Sequence, residues 1–207
     1  MNYHELIAHY ENCLAQYGDT PQGVDWPKAE DVPRRYQVMR ELWKQAHAPD
    51  VLDFGCGAGH FYEWLQTIDP TVQYRGLDAS PAFIALCQHK HPYIPWSCVD
   101  VLVNSAALPS ADYVIMNGVL TEKRSLSFEA MWAYAQQLLI TVFAHTRRGL
   151  AFNVMSPYVD WERDDLFHLP PALLLPFIHS QLSRHVALRM DYGLYEYTVY
   201  IYREAQV

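Results

Sequence analysis

The chain has 207 residues, 51% of them hydrophobic and 18% charged, which suits one globular domain with a sizeable core and argues against low-complexity disorder. A formal charge of −8, from 15 basic and 23 acidic residues, with basic runs no longer than Arg147-Arg148, argues against nucleic acid as the main partner. No apolar stretch reaches the ~18 residues of a membrane helix, and Met1-Asn2-Tyr3-His4-Glu5 carries no export pattern, so a cytoplasmic protein with neither membrane nor nucleic-acid partner is expected.

Tyr3 to Gln16 places Leu6, Ile7, Tyr10, Cys13 and Leu14 at helical spacing and stops before Gly18. A loop rich in turn residues, Gly18 to Pro27, follows. Val32 to Ala46 reads as a second helix, with Tyr36, Met39, Leu42 and Trp43 on one face. Next comes the most informative stretch, an apolar strand Val51-Leu52-Asp53-Phe54 running into Gly55-Cys56-Gly57-Ala58-Gly59. Glycine at alternate positions lets the backbone turn sharply and approach a ligand closely. A dinucleotide fingerprint requires its third glycine where His60 stands, and no Gly-Lys-Ser/Thr of a phosphate loop follows. The stretch therefore reads as a nucleoside cofactor site of another kind.

A second strand, Val72 to Asp78, ends in a carboxylate 23 positions after Gly55. That interval is what strand, helix and strand need before an acidic side chain can meet the ribose hydroxyls of a ligand held at the first turn. The alternative is that Asp78 caps the helix beginning near Ser80 and Pro81, but Ser80 already suits that purpose, and the spacing favours the ribose role. Trp96 to Val101 ends a third strand, with Asp100 either near the ligand's base or a solvated loop carboxylate. The buried-type run Ala111 to Met116 forms a fourth strand, and Asn117-Gly118 at its carboxyl end is either a ligand contact or a turn. Ser127 to His145 is the longest helical pattern, Gly149 to Met155 a fifth strand, and a proline-marked insert at about 156–183 contains a helix from Pro171 to Ser183. Arg184 to Asp191 and Tyr195 to Arg203 close the chain around Tyr192-Gly193-Leu194, a connection short enough for antiparallel pairing and too short for a crossover.

The motif Asp-x-Gly-x-Gly-x-Gly after an apolar strand, with Asp78, Asp100 and the closing hairpin in this order over roughly residues 50 to 203, resembles the class I S-adenosylmethionine (SAM) dependent methyltransferases. The resemblance implies an α/β fold, a doubly wound, mostly parallel seven-stranded sheet with a C-terminal antiparallel hairpin. It implies one domain over 1–207, with an N-terminal helical cap at 1–47 and a SAM-binding core at 48–207. It also implies SAM as cofactor, with candidate contacts from Asp53, Phe54, Gly55, Cys56, Gly57, Gly59, Asp78, Ala79, Asp100, Val101 and Asn117. From the N-terminal segment it adds Trp26 and Arg35, the latter pairing with the cofactor carboxylate or simply solvated. The implied activity is methyl transfer to oxygen or nitrogen of a small-molecule acceptor. A noncatalytic SAM-binding protein and a nucleotide-dependent oxidoreductase are the rival classes.

No catalytic base stands out. Glu122, Asn153, Tyr158, Asp160 and His168 fall where a base or acceptor contact would lie, and Trp161, Tyr192, Tyr195 and Tyr197 are candidates for an aromatic wall. Cysteines 13, 56, 87 and 98 show no Cys-x-x-Cys, and His89 with His91 or His168 with His179 lack ligand spacing, so no metal is expected. The terminal aromatic strands suit either a monomer or a homodimer.

Overall fold

The computed structural model describes residues 3–44 and 46–206. Seven strands form one sheet: β1 (Asp50–Phe54), β2 (Gln73–Asp78), β3 (Trp96–Cys98), β4 (Ala111–Met116), β5 (Thr146–Met155), β6 (His185–Arg189) and β7 (Glu196–Tyr202). Their order is β3-β2-β1-β4-β5-β7-β6. The β1–β2, β1–β4, β2–β3 and β4–β5 pairs are parallel, while β7 lies antiparallel between β5 and β6. The expected doubly wound sheet with its antiparallel close is therefore present. The turn between the last two strands, residues 190–195, is longer than the three residues anticipated. Because β7 is covered on both edges, its rings serve the core, and β6 forms the sheet edge.

Side chains on successive strand residues point to opposite faces, and the sheet fills two layers accordingly. Leu52, Val114, Met116, Leu150, Phe152, Val199 and Ile201 face one core with helix α5 (Phe128–Ala144) and helix α6 (Pro171–Gln181). Val51, Tyr113, Ile115, Ala151 and Tyr200 face the other, which takes Tyr36 and Met39 from α2 (Val32–Arg40), Phe61 and Leu65 from α3 (His60–Ile68), and Cys87 from α4 (Pro81–Lys90). On α5, Met131, Ala135, Leu138, Leu139 and Val142 recur at three- and four-residue spacing and are all buried; each leucine contributes about 1.5–3 kcal/mol. Ser127 caps α5 by accepting from the Ala130 N–H at 3.2 Å.

The second helix is shorter than its pattern suggests. It ends at Arg40 and tightens into a 3-10 turn over Glu41–Trp43, a common helix ending. Gln45, within the expected span, lies outside the described residues.

The first helix, α1 (His4–Tyr17), reaches the carboxyl ends of the strands. The Tyr3 hydroxyl donates to Asp100 at 2.7 Å and the Tyr10 hydroxyl to the Gly118 carbonyl at 3.2 Å, while Ser80 donates to Glu11 at 2.6 Å. The chain then folds tightly back: a Cβ on Gly23 would lie 1.9 Å from the Gly18 carbonyl oxygen, so only glycine fits. This return sets Trp26 against Tyr36, ring centroids 5.6 Å apart.

Candidate cofactor site

The strand order reverses between β1 and β4, and ligands of open α/β sheets bind outside the carboxyl ends of the strands at such a switch point. A pocket lies there. Its floor is Asp53 to Ala58 from β1 and the glycine loop, and one side is Leu77 to Ser80 at the end of β2. Val99 to Leu102 and Asn117 to Val119 supply the remaining strand ends, Tyr134 and Leu138 come from α5, and Tyr3, Leu6, Ile7, Tyr10, Val24, Trp26 and Tyr36 cover it from the N-terminal segment.

Gly55 is held at φ +75, and a Cβ there would meet Val119 Cγ2 at 2.5 Å. Both the left-handed backbone and the contact demand glycine. The Gly55 and Cys56 N–H groups donate to the Leu77 carbonyl at 2.7 and 3.0 Å, locking the loop to the end of β2. Cys56 has its thiol pushed well up by a hydrogen bond with Cys87 and by burial, so it stays protonated. His60 begins α3 and bonds Asp19 at 2.7 Å, and Lys90 joins Asp19 to the Ala58 carbonyl.

Asp78 is not the helix cap. Ser80 caps α4 by accepting from the Phe83 N–H, with Pro81 as first helical residue. Asp78 Oδ2 accepts from the Gly57 N–H and Oδ1 from the Ser80 N–H, each at 2.9 Å. A carboxylate has about four lone-pair sites, so both oxygens retain capacity for a ligand's hydroxyls. Burial raises the Asp78 pKa, opposed by those N–H donors.

Asp53, beneath the loop, is buried and accepts from the Tyr74 hydroxyl at 2.6 Å. Burial pushes its pKa up to about 7 against that hydrogen bond, with Asp78 adding repulsion. Asp100 is neither free nor merely solvated: Oδ2 accepts from Tyr3, and Oδ1 from the Leu102 N–H at 3.1 Å.

Asn117 and Gly118 separate into two roles. The Gly118 N–H donates to Asn153 Oδ1 at 2.7 Å, so the turn is held from β5. Asn117 Oδ1 is buried without a hydrogen-bond partner, in a residue lining the pocket. Such an orphaned acceptor costs about 1–3 kcal/mol unless something donates to it. Together with the free lone pairs of Asp78, this fits a ligand carrying hydrogen-bond donors, as SAM does.

Other expected site residues lie elsewhere. Arg35 does not line the pocket; its Nε donates to Glu196 at 2.9 Å and its guanidinium sits 5.1 Å over the Trp26 ring. A buried carboxylate within reach is a stronger partner for it than solvent. Asn153 is occupied by Gly118 and Glu196. His168 accepts from the Arg163 N–H at 3.2 Å and its Nδ1 lies 2.7 Å from the Ser156 carbonyl, so both ring nitrogens are engaged. Glu122 pairs with Arg124 at 3.4 Å. Tyr158, Trp161 and Tyr195 are exposed, Tyr195 bonding Asp160 at 3.4 Å, while Tyr192 and Tyr197 are buried against Thr198 and the Leu169 carbonyl. The aromatic wall instead comes from Tyr3, Tyr10, Trp26, Tyr36 and Tyr134; Trp26 and Tyr36 belong to the N-terminal segment from which lid contacts are expected, whereas Tyr3, Tyr10 and Tyr134 are not among the expected site residues. The apolar Leu6-Ile7-Tyr10 face on a helix preceding the sheet was the available signal.

The order β3-β2-β1-β4-β5-β7-β6, a glycine loop leaving β1 and a carboxylate ending β2 define a class I SAM-dependent methyltransferase. Residues 52–149 match the family model described as a methyltransferase domain. The Mycobacterium tuberculosis protein named "Putative methyltransferase Rv1506c" is 30% identical over 152 residues, 72% of this chain and 90% of that one. The chain belongs to this family, and SAM is its cofactor. Among solved structures, magnesium protoporphyrin IX methyltransferase from Synechocystis with bound S-adenosylhomocysteine superposes with a TM-score of 0.66 at 14% identity, covering 96% of this chain and 99% of that one. The N-methyltransferase NodS from Bradyrhizobium japonicum gives 0.58 at 14% identity, over 86% and 99%. These likenesses bear on the fold. Family membership displaces the oxidoreductase alternative and makes the chain an enzyme.

Proposed function

We propose that this methyltransferase acts on oxygen or nitrogen of a small-molecule acceptor, and that its N-terminal segment, residues 1–47, caps a single catalytic domain. The observation that carries this reading is the roof: Tyr3, Leu6, Ile7 and Tyr10 of the α1 region close over the strand ends that hold the cofactor residues. A covered pocket suits a compact acceptor better than a folded macromolecule, and the charge of −8 disfavours nucleic acid. A neighbouring structure is named for a porphyrin acceptor, which agrees with that size class. Among the described residues no helix is long and apolar enough to cross a membrane. A cytoplasmic location fits four cysteines that are all free thiols, and a monomer or homodimer fits the covered position of β7.

SAM supplies an electrophilic methyl group on a sulfonium. In this reading Asp78 accepts hydrogen bonds from the ribose hydroxyls, and Asn117 Oδ1 accepts from the ammonium of the methionine portion. Gly55, Cys56 and Gly57 let the backbone approach, with Phe54, Ala79 and Val101 giving apolar contact, whereas Gly59, which does not line the pocket, faces Cys87 and Trp96 and serves the turn into α3. Asp100 borders the base through the end of β3, and Trp26 closes the pocket from the roof. The aromatic wall excludes water and orients the acceptor, an effect worth up to ~7–11 kcal/mol. Burial raises the pKa of Tyr3 to about 12 and that of Tyr10, Tyr36 and Tyr134 further, so these hydroxyls stay protonated at neutral pH and withdraw no proton. The test is S-adenosylhomocysteine release with methyl-labelled SAM and panels of small amines and hydroxyl compounds beside peptides and oligonucleotides. Turnover is expected only in the small-molecule panels. Label transferred solely to protein or nucleic acid would refute the proposal.

A further inference from the structure

His9 and Cys13 stand at i and i+4 on α1, and Asp25 closes the 3-10 turn Pro21–Val24 beside them. Asp25 Oδ2 lies 2.7 Å from His9 Nε2, and Cys13 Sγ lies 3.7 Å from the same nitrogen. One ligand atom from each of the three falls within 4.8 Å of the others. An imidazole nitrogen, a thiol sulfur and a carboxylate oxygen on one point are a zinc-type donor set. The Cys13 side is buried, while His9 and Asp25 side chains are 19% and 33% exposed, so an ion can enter from one side.

The two spacings from His9 are close to what such an ion needs, and the Cys13–Asp25 pair lies within 4.8 Å. Zinc-type bond lengths in a tetrahedron put ligand nitrogen and sulfur ~3.5 Å apart and nitrogen and oxygen ~3.4 Å apart. The Cys13–His9 pair therefore needs almost no movement, and the His9–Asp25 hydrogen bond must open by ~0.7 Å. Asp25 is held at φ 59 with its N–H bonded to Gln22, so this opening falls on its side chain. Surrounding charge also favours a cation. Glu122 acts electrostatically on both Cys13 and Asp25, and two cations that oppose it are already engaged, Arg124 by Glu122 at 3.4 Å and Asp165 at 3.3 Å and Arg163 by Asp165 at 3.0 Å.

We propose that His9, Cys13 and Asp25 form a three-ligand site for a thiophilic divalent cation of the zinc class, which fastens α1 to the turn leading into Trp26. Tyr10, on the same helix, and Trp26, next to Asp25, both line the cofactor pocket, so the ion would brace its roof. The site is separate from the cofactor residues and stands whatever the acceptor is.

The experiment is titration of untagged full-length protein with cobalt(II), followed by displacement with zinc. One equivalent is expected to give a thiolate-to-cobalt charge-transfer band with tetrahedral visible bands, lost on adding zinc, and proton release as the ligands ionise. Cys13→Ser should abolish the charge-transfer band and weaken binding beyond the ~10–100-fold that loss of an outer-sphere partner costs, while Cys98→Ser leaves both unchanged. Absence of the band at one equivalent, or its survival in Cys13→Ser, would overturn the proposal. Should Cys13→Ser fold poorly by circular dichroism, Asp25→Asn carries the same test: weakened cobalt binding supports the site, and wild-type affinity and spectrum overturn it.

Discussion

Replacing Asp53 by Asn tests whether the floor of the cofactor pocket carries a proton. Asp53 is 2% exposed, and burial moves its pKa from 3.8 to about 7. At ~1.4 kcal/mol per pH unit this rise corresponds to about 4 kcal/mol. The folded state binds the proton more tightly than the unfolded chain, so this contribution is fully present below about pH 4 and is lost as pH rises to about 7. Asparagine cannot titrate, yet its carbonyl still accepts from Tyr74, so the hydrogen bond survives. Guanidinium unfolding of both proteins from about pH 4 to 8 should show the variant gaining up to about 4 kcal/mol on the wild type as pH rises. Asp78 and Glu122, whose pKa values are also raised by burial, titrate in both proteins and largely cancel in the difference. A difference that stays flat, or moves against the variant as pH rises, would refute the reasoning.

Asn117→Leu removes an orphaned acceptor, so apo stability should rise by ~1 kcal/mol while SAM affinity falls at least about tenfold; thermal melts and calorimetry read the two opposite signs. Glu196→Ala strips the half-buried Arg35 and the buried Asn153 amide of their shared acceptor and should cost about 1–3 kcal/mol in chemical denaturation. Arg35→Met, by contrast, should leave SAM affinity within about twofold, whereas a drop of ~1.4 kcal/mol, or tenfold, would restore Arg35 as a cofactor contact. Gly55→Ala forces a left-handed alanine, at ~1–2 kcal/mol, and displaces Val119; both melting temperature and SAM affinity should fall, and unchanged affinity would contradict the close approach.

What could be read from the chain was local. Gly55, Gly57 and Asp78 are fixed by one strand–helix–strand unit, so spacing alone brought them together, and the Gly57 N–H does bond Asp78. The α5 core stripe was equally legible because its period is intrinsic to the helix. The roof was not. Leu6 and Tyr10 give the same amphipathic pattern whether a helix covers a core or a ligand, and only the tertiary path of the Gly18–Gly23 fold-back distinguishes them. Arg35 and Glu196 are 161 positions apart, a pairing no local pattern encodes. His9 and Cys13 had helical ligand spacing in plain view, but Asp25 reaches them through a turn whose geometry the sequence leaves open.

The central claim, that the pocket beneath α1 holds SAM through Asp78, is tested most directly by calorimetric titration of S-adenosylhomocysteine into wild type and Asp78→Ala. Micromolar binding to the wild type, weakened by ~1–3 kcal/mol or more in a variant that remains folded, is the predicted result. Equal affinity in the two proteins would contradict the account and move the cofactor away from the end of β2.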